Sequence, residues 1–76
     1  MTGFQIIDMN TEECIHEETG FDVEYTQDMY EDVREWWDEQ DDSSLDSETL
    51  LVKLFVGYNP NNLTGEEEEL TMDELL

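Results

Sequence analysis

The stretch from Thr26 to Asp42, TQDMYEDVREWWDEQDD, puts apolar and acidic side chains on opposite faces of a helix. Its apolar residues recur at three- and four-residue spacing, the interval that brings side chains onto one helical face. The acidic residues repeat on the other side and, at about 100° per residue, occupy an arc of roughly 120°. An apolar face of this kind must pack against another element. The sequence therefore predicts an amphipathic helix over residues 27–40, buried through Met29, Tyr30, Val33, Trp36 and Trp37.

The acidic face of this helix has a linear charge density close to that of a nucleic acid strand. At a rise of about 1.5 Å per residue, its carboxylates are spaced about 3.5 Å apart along the axis. One strand of duplex DNA carries a phosphate charge about every 3.4 Å. Charged outer faces are also what soluble helices normally have, so a simple solvated face is the alternative interpretation.

The composition of the whole chain favours a function for this charge. Twenty-three Asp and Glu residues against two Lys and Arg residues give a formal net charge of −21. A charge of about 2 to 8 is enough to keep a small domain soluble, and a larger one repels itself and destabilises the compact state. Disorder is one alternative, but Trp36, Trp37 and two apolar stripes favour a folded core. Adaptation to high salt is the other, although a general adaptation would spread the acids rather than gather them in blocks.

Three further segments have the character of strands. Residues 4–9 form a short apolar run, and residues 21–26 alternate apolar and acidic side chains with the period of two of a half-buried strand. The run from Leu50 to Tyr58 is apolar on both faces apart from Lys53, which predicts a central strand. Residues 11–20 are predicted as a short helical turn or a charged loop. The expected fold is α+β, a small antiparallel sheet of about three strands packed against one acidic helix.

Each predicted helix begins with a capping pattern, and the acidic C-terminal segment is predicted separately from the preceding domain. Residues 1–62 are expected to form a single α+β domain, followed by an acidic C-terminal helix or tail over residues 63–76. Asp28 with Glu31, and Thr71 with Glu74, have the spacing of capping boxes. A terminal helix would dock through Leu70, Met72, Leu75 and Leu76.

The size of the chain predicts a marginal core and self-association. A 76-residue domain buries only about 60 to 65% of its unfolded surface, and charge repulsion weakens it further. Self-association that hides the Trp36–Trp37 pair or a sheet edge would add burial, and the two-sided apolar strand Leu50 to Tyr58 also favours a homodimer. The single cysteine fits a reducing cytosol, and the run LLVKLFV is too short to span a bilayer. We expect a soluble intracellular protein that binds neither nucleic acid nor anionic membranes directly, since both attract Lys and Arg.

The residues suited to chemistry are few. Cys14 and His16 could act as nucleophile and base only if the backbone brought both to one point, and their glutamate neighbours disfavour a reactive thiol. The same pair supplies two potential zinc ligands where a structural site needs four. We therefore predict no catalytic site, no metal site and no cofactor, and the chain is not expected to be an enzyme.

In size, composition and charge pattern, the chain resembles the small acidic DNA-mimic proteins of phages. That group includes anti-restriction proteins, anti-CRISPR proteins, uracil-DNA glycosylase inhibitors and inhibitors of the nucleoid protein HU. The resemblance implies a host-takeover inhibitor in the host cytoplasm that competes with DNA for a basic DNA-binding protein, with HU as the preferred target. The candidate partner-binding residues are the acids of the helix and of the C-terminal block: Asp28, Glu31, Asp32, Glu35, Asp38, Glu39, Asp41, Asp42, Glu66, Glu67, Glu68 and Glu69.

A function of a different class fits the same composition. An acidic adaptor or chaperone for basic proteins would shield its partner through its overall field, with residues 66–76 folding onto that partner. The two hypotheses differ in which acids matter, because a mimic requires the ordered helix acids and an adaptor requires the terminal ones.

Overall fold

The computed structural model describes residues 2–40, 45–57 and 66–76. They form a four-stranded antiparallel sheet with helices packed on one face. The α+β class is as expected, with four strands rather than about three. The elements in chain order are β1 (Gly3–Asp8), β2 (Glu13–Thr19), a 3₁₀ turn (Thr26–Met29), α1 (Tyr30–Asp38), β3 (Leu50–Val56), β4 (Glu66–Thr71) and α2 (Met72–Leu75). The strand order across the sheet is β2-β1-β3-β4.

The two central strands, β1 and β3, supply the inner face of the sheet. On β3, Leu50, Val52, Leu54 and Val56 are buried, while the intervening side chains on the outer face remain partly exposed. Phe4 and Ile6 of β1 lie beside them and are fully buried. The predicted strands over residues 4–9 and 50–58, and the central position of the second, are therefore confirmed. Tyr58, which was expected to continue β3, lies outside the described residues.

The predicted amphipathic helix is confirmed as the 3₁₀ turn and α1, which run without a break. Met29 and Val33 are fully buried against the sheet, and Tyr30, Trp36 and Trp37 pack around them. The predicted capping box at Asp28 is wrong, because α1 begins after Met29 with no side-chain capping bond. Because the 3₁₀ turn precedes α1 directly, Asp28 already lies within the helical segment. The extended residue that precedes this segment is Tyr25.

Residues 13–19 form β2, so the helical turn or loop predicted for this segment is wrong. The strand pairs with β1 in an antiparallel hairpin whose turn includes Glu12 at a φ of 60°. Asp8 stabilises that turn, since its side chain accepts a hydrogen bond of 2.9 Å from the backbone N–H of Asn10. The β2 strand lies at the edge of the sheet, and His16 and Glu18 occupy its inner face. An edge strand with polar residues on its inner face shows no apolar alternation.

The strand predicted over residues 21–26 is also wrong. Residues 21–23 have no regular secondary structure, and a bend leads into the 3₁₀ turn. Phe21 and Val23 nevertheless pack against the core, and the rings of Phe21 and Phe4 lie 5.7 Å apart. The alternation in this segment therefore reflects burial of every second side chain and not pairing with another strand.

The C-terminal segment is a strand and a short helix, which corrects the acidic helix or tail predicted for residues 63–76. Glu66–Thr71 pairs with β3 along its length, so the sheet extends beyond the predicted domain boundary at residue 62. The predicted capping bond at Thr71 is confirmed, because its Oγ1 accepts a hydrogen bond of 3.2 Å from the Glu74 N–H. Of the predicted docking residues, Met72 and Leu75 are buried, whereas Leu76 is 51% exposed.

Candidate functional site

The outer side of the helical segment carries the predicted row of acids. Five of these side chains, Asp28, Glu31, Glu35, Asp38 and Glu39, are exposed, and Asp32 is partly buried beside them. The only basic residue of this segment, Arg34, lines an open cleft with Glu31, Glu35, Asp38 and Glu39. Its Nε and Nη2 atoms donate hydrogen bonds of 3.3 and 3.0 Å to the Leu75 carbonyl oxygen, which ties α1 to the end of α2. One positive charge therefore lies among the six acids, and the row remains strongly anionic.

Two glutamates of β4 are fixed beside the start of this row. Thr26 Oγ1 donates a hydrogen bond of 3.0 Å to Glu66 Oε1, and the Tyr30 hydroxyl donates one to Glu68 Oε1. The hydrogen bond to Glu68, followed by burial and by the negative charges of Glu68 and Glu66, raises the pKa of Tyr30 to about 12. These bonds hold both carboxylates on the helix side of the sheet.

A further glutamate, Glu18, extends the acids on the β2 side. Its Oε2 atom lies 2.9 Å from Nε2 of His16, and the imidazole stacks on the Trp36 indole with the ring centroids 5.0 Å apart. Glu18, Glu35 and Glu39 line an open cleft of about 310 Å³ together with these two rings. We call the helix acids together with Glu18, Glu66 and Glu68 the anionic surface.

Strand alternation separates the four consecutive glutamates of β4. Glu66 and Glu68 pair with Val56 and Leu54, whose side chains are buried on the inner face. Glu67 and Glu69 therefore point to the outer face, where Glu69 Oε1 lies 3.7 Å from Nζ of Lys53. The structure thus places Glu66 and Glu68 with the predicted helix acids and separates Glu67 and Glu69 from them. The predicted residues Asp41 and Asp42 lie outside the described residues.

Sequence reasoning missed the position of Glu18. Its placement depends on β2, which brings His16 and Glu18 to the inner face at the period of two. Regular alternation over Cys14 to Glu18 would have placed Ile15 inward and Glu18 outward. A register shift between Ile6 and Ile7 leaves Ile15 without a partner on β1 and puts His16 and Glu18 on the inner face, so the sequence pattern alone could not have found this position.

The geometry around Cys14 offers no nucleophile–base pair. Its Sγ donates a hydrogen bond of 3.3 Å to the backbone carbonyl oxygen of His16, while the His16 ring contacts the Glu18 carboxylate and stacks on Trp36. Within residues 2–40, 45–57 and 66–76 there is no cluster of three or more His, Cys, Asp or Glu side chains suited to hold a metal ion. The described site therefore offers a ligand a dense array of carboxylates, of which Glu18, Glu66 and Glu68 are held by hydrogen bonds to neighbouring side chains.

A scan against protein-family models and searches of curated proteins and of solved structures found no match to this chain. Among the described residues, no helix has the length and apolar character needed to cross a membrane. The functional interpretation therefore depends on the geometry and charge of the anionic surface.

Proposed function

We propose that this protein is a DNA mimic that occupies the DNA-binding surface of a basic host protein, with the nucleoid protein HU as the preferred target. The observation that supports the proposal is the gathering of carboxylates from three elements on one side of the molecule. The helix supplies a central row, β4 adds Glu66 and Glu68, and β2 adds Glu18.

The dimensions of the anionic surface suit a short segment of a phosphate backbone. From Asp28 to Glu39 the helical segment rises roughly 17 Å at about 1.5 Å per residue, and one DNA strand places about five phosphates over that length. The carboxylates from the flanking strands widen this row. Because Thr26 and Tyr30 hold Glu66 and Glu68 in place, less side-chain freedom is lost when a partner binds.

The mechanism is competition by charge. Carboxylates of the anionic surface pair with the Lys and Arg side chains that otherwise hold phosphates, and the net charge of −21 steers the approach of a basic partner. Each exposed pair contributes little by itself, on the order of 0.2 to 1 kcal/mol, so affinity comes from many contacts acting together. Binding should weaken steeply as salt screens these contacts. Restriction enzymes, CRISPR effectors and uracil-DNA glycosylases are alternative targets of the same chemistry.

The experiment compares two triple variants that remove the same charge from opposite faces. Glu31, Glu35 and Glu39 are changed to Gln on the helix, and Glu17, Glu67 and Glu69 are changed to Gln on the outer face of the sheet. Each variant removes three charges from the formal −21, so their overall fields remain matched. The measurement is displacement of a labelled DNA duplex from purified HU at low salt.

A mimic that acts through the anionic surface should be weakened by about tenfold or more in the helix variant and by less than about twofold in the outer-face variant. Equal losses in the two variants would mean that only total charge matters and would refute a mimic that acts through the anionic surface. A larger loss in the outer-face variant, which removes the terminal acids Glu67 and Glu69, is the result expected of an acidic adaptor or chaperone for basic proteins. No loss in either would refute the mimic. A pull-down from bacterial lysate, eluted with salt, would identify the target if HU is not displaced from DNA by the parent protein.

A further inference from the structure

The sheet has a second face, which we call the outer sheet face, opposite the helices. Both described helices pack on the inner face, where the buried core lies. The strand register brings Gln5 beside Lys53 and Ile7 beside Leu51, with Phe55 at one end of the same face. The three β3 residues of this face, Leu51, Lys53 and Phe55, are only partly buried.

The outer sheet face is more apolar than a solvated face requires. Antiparallel sheets with one face in water normally alternate apolar residues inside with polar residues outside. Here Ile7, Leu51 and Phe55 occupy outward positions on the two central strands, in a chain of which 33% of the residues are charged. Apolar residues gathered on an exposed face are typical of an interaction surface.

We infer that a second copy of this chain covers the outer sheet face, giving a dimer with the two sheets packed face to face. The charges favour this occupant, because the outer sheet face is the less anionic side of the molecule. Lys53, one of two basic residues in the chain, lies at the centre of the face and 3.7 Å from Glu69, and the face sets this lysine against three glutamates, Glu17, Glu67 and Glu69. A two-fold interface sets the face against itself, so two copies that meet through it repel each other less than two copies that meet through their anionic surfaces.

The same arrangement reduces repulsion between two strongly anionic chains. The helix acids, Glu66 and Glu68 lie on the side of the sheet opposite to Lys53. In a face-to-face dimer the two anionic surfaces therefore point away from each other and remain accessible. The inference does not depend on what the anionic surface binds.

The size of the face predicts a weak dimer. Four strands about 4.8 Å apart, each six or seven residues long at about 3.3 Å per residue, present roughly 400 Å² per copy. About 800 Å² in total is below the standard interface of about 1,200 to 2,000 Å², a size typical of transient association. Because the copies repel each other and salt screens that repulsion, dimerisation should strengthen as salt rises.

The test is the oligomeric state of the full chain, measured by sedimentation equilibrium from low to high micromolar concentration at about 0.05 and 0.5 M NaCl. The parent mass should rise towards twice that of the chain with concentration, and more readily at high salt. Changing both Leu51 and Phe55 to Thr should raise the dissociation constant by about tenfold or more, because the apolar contact is removed while strand propensity is kept. The control is Tyr25→Thr, which removes an apolar side chain that is 53% exposed in the bend before the 3₁₀ turn.

Three results would overturn the inference: a parent that stays monomeric throughout, a double variant with native circular dichroism that dimerises as well as the parent, or assembly that continues beyond two copies. If the double variant fails to fold, Lys53→Glu tests the same face by adding a like charge at its centre. That variant should also lose the dimer, and unchanged dimerisation would overturn the inference equally.

Discussion

The hydrogen bond between Tyr30 and Glu68 joins α1 to β4 and offers a sharp test of how the helix is held on the sheet. The Tyr30 hydroxyl donates to Oε1 of Glu68, and both side chains are partly buried. Changing Tyr30 to Phe removes the donor and leaves the ring in place. A hydrogen bond to a charged group contributes about 1.5 to 3 kcal/mol, and water that reaches Glu68 reduces this to about 1 kcal/mol.

The pH dependence of this contribution follows from the pKa of Tyr30. The hydrogen bond to Glu68 is the main cause of its rise to about 12, from a value of 10.0 for an ordinary tyrosine. The folded protein therefore holds the phenol proton more tightly than the unfolded chain does. Its stabilisation is fully present below pH 10 and is lost as pH rises towards 12. At full strength the rise is equivalent to about 2.7 kcal/mol, and solvent screening of these partly exposed groups lowers it to about 1 kcal/mol.

The assay is urea unfolding followed by the fluorescence of Trp36 and Trp37, with Tyr30→Phe, Glu68→Gln and the double variant forming a cycle. We expect a coupling energy of about 0.5 to 1.5 kcal/mol at neutral pH. The parent should also lose stability between pH 10 and 12 relative to Tyr30→Phe. Tyr25→Phe is the control, because this exposed hydroxyl remains hydrated and its loss should leave stability unchanged. A coupling energy of zero, or parallel pH profiles for parent and Tyr30→Phe, would refute the reasoning.

Two other predictions concern the helix acids and the hairpin. The triple variant of Glu31, Glu35 and Glu39 to Gln should be more stable than the parent by about 1 kcal/mol in low-salt urea unfolding, because like-charge pairs at i,i+3 and i,i+4 are removed at about 0.2 to 0.5 kcal/mol each. A loss of stability would show that these acids support the fold. Gly3→Ala should destabilise the protein by about 1 to 3 kcal/mol, because an added Cβ would overlap the backbone carbonyl oxygen of Glu18 and lie 2.8 Å from Cα of Thr19. Gly20→Ala is a useful comparison, since its Cβ would meet no atom within 4 Å and any loss would come from its φ of +90°.

Side-chain periodicity predicted burial well and strand pairing poorly. At β3 and α1 the buried face is also the face that packs on the next element, so the periodicity of the side chains predicted both elements correctly. Phe21 and Val23 alternate because each is packed on the core, yet their backbone pairs with no described strand. β2 shows the opposite case, since its backbone pairs with β1 while its inner face holds His16 and Glu18. Backbone pairing at an edge strand constrains side-chain polarity only weakly, so the hydrophobic pattern of the sequence does not identify such a strand.

The candidate site was predictable as far as it depends on the helix. The period of the acids placed Asp28 to Glu39 on one outer face, as the structure has them. The division of Glu66 to Glu69 was not predictable, because a helix, a tail and a strand distribute four consecutive glutamates differently. Only pairing with β3 assigns Glu66 and Glu68 to the anionic surface and Glu67 and Glu69 to the outer sheet face.

The division of charge between the two faces makes salt a means of separating the two proposed interactions. Binding of a basic partner to the anionic surface depends on attraction between opposite charges, which salt screens, so its dissociation constant should rise with NaCl. Dimerisation through Ile7, Leu51 and Phe55 is opposed by repulsion between chains of charge −21, so its dissociation constant should fall over the same range. If dimerisation instead weakened with salt in parallel with partner binding, contacts between Lys53 and carboxylates would outweigh the apolar contact. The outer sheet face would then be a charged interface that happens to include three apolar side chains.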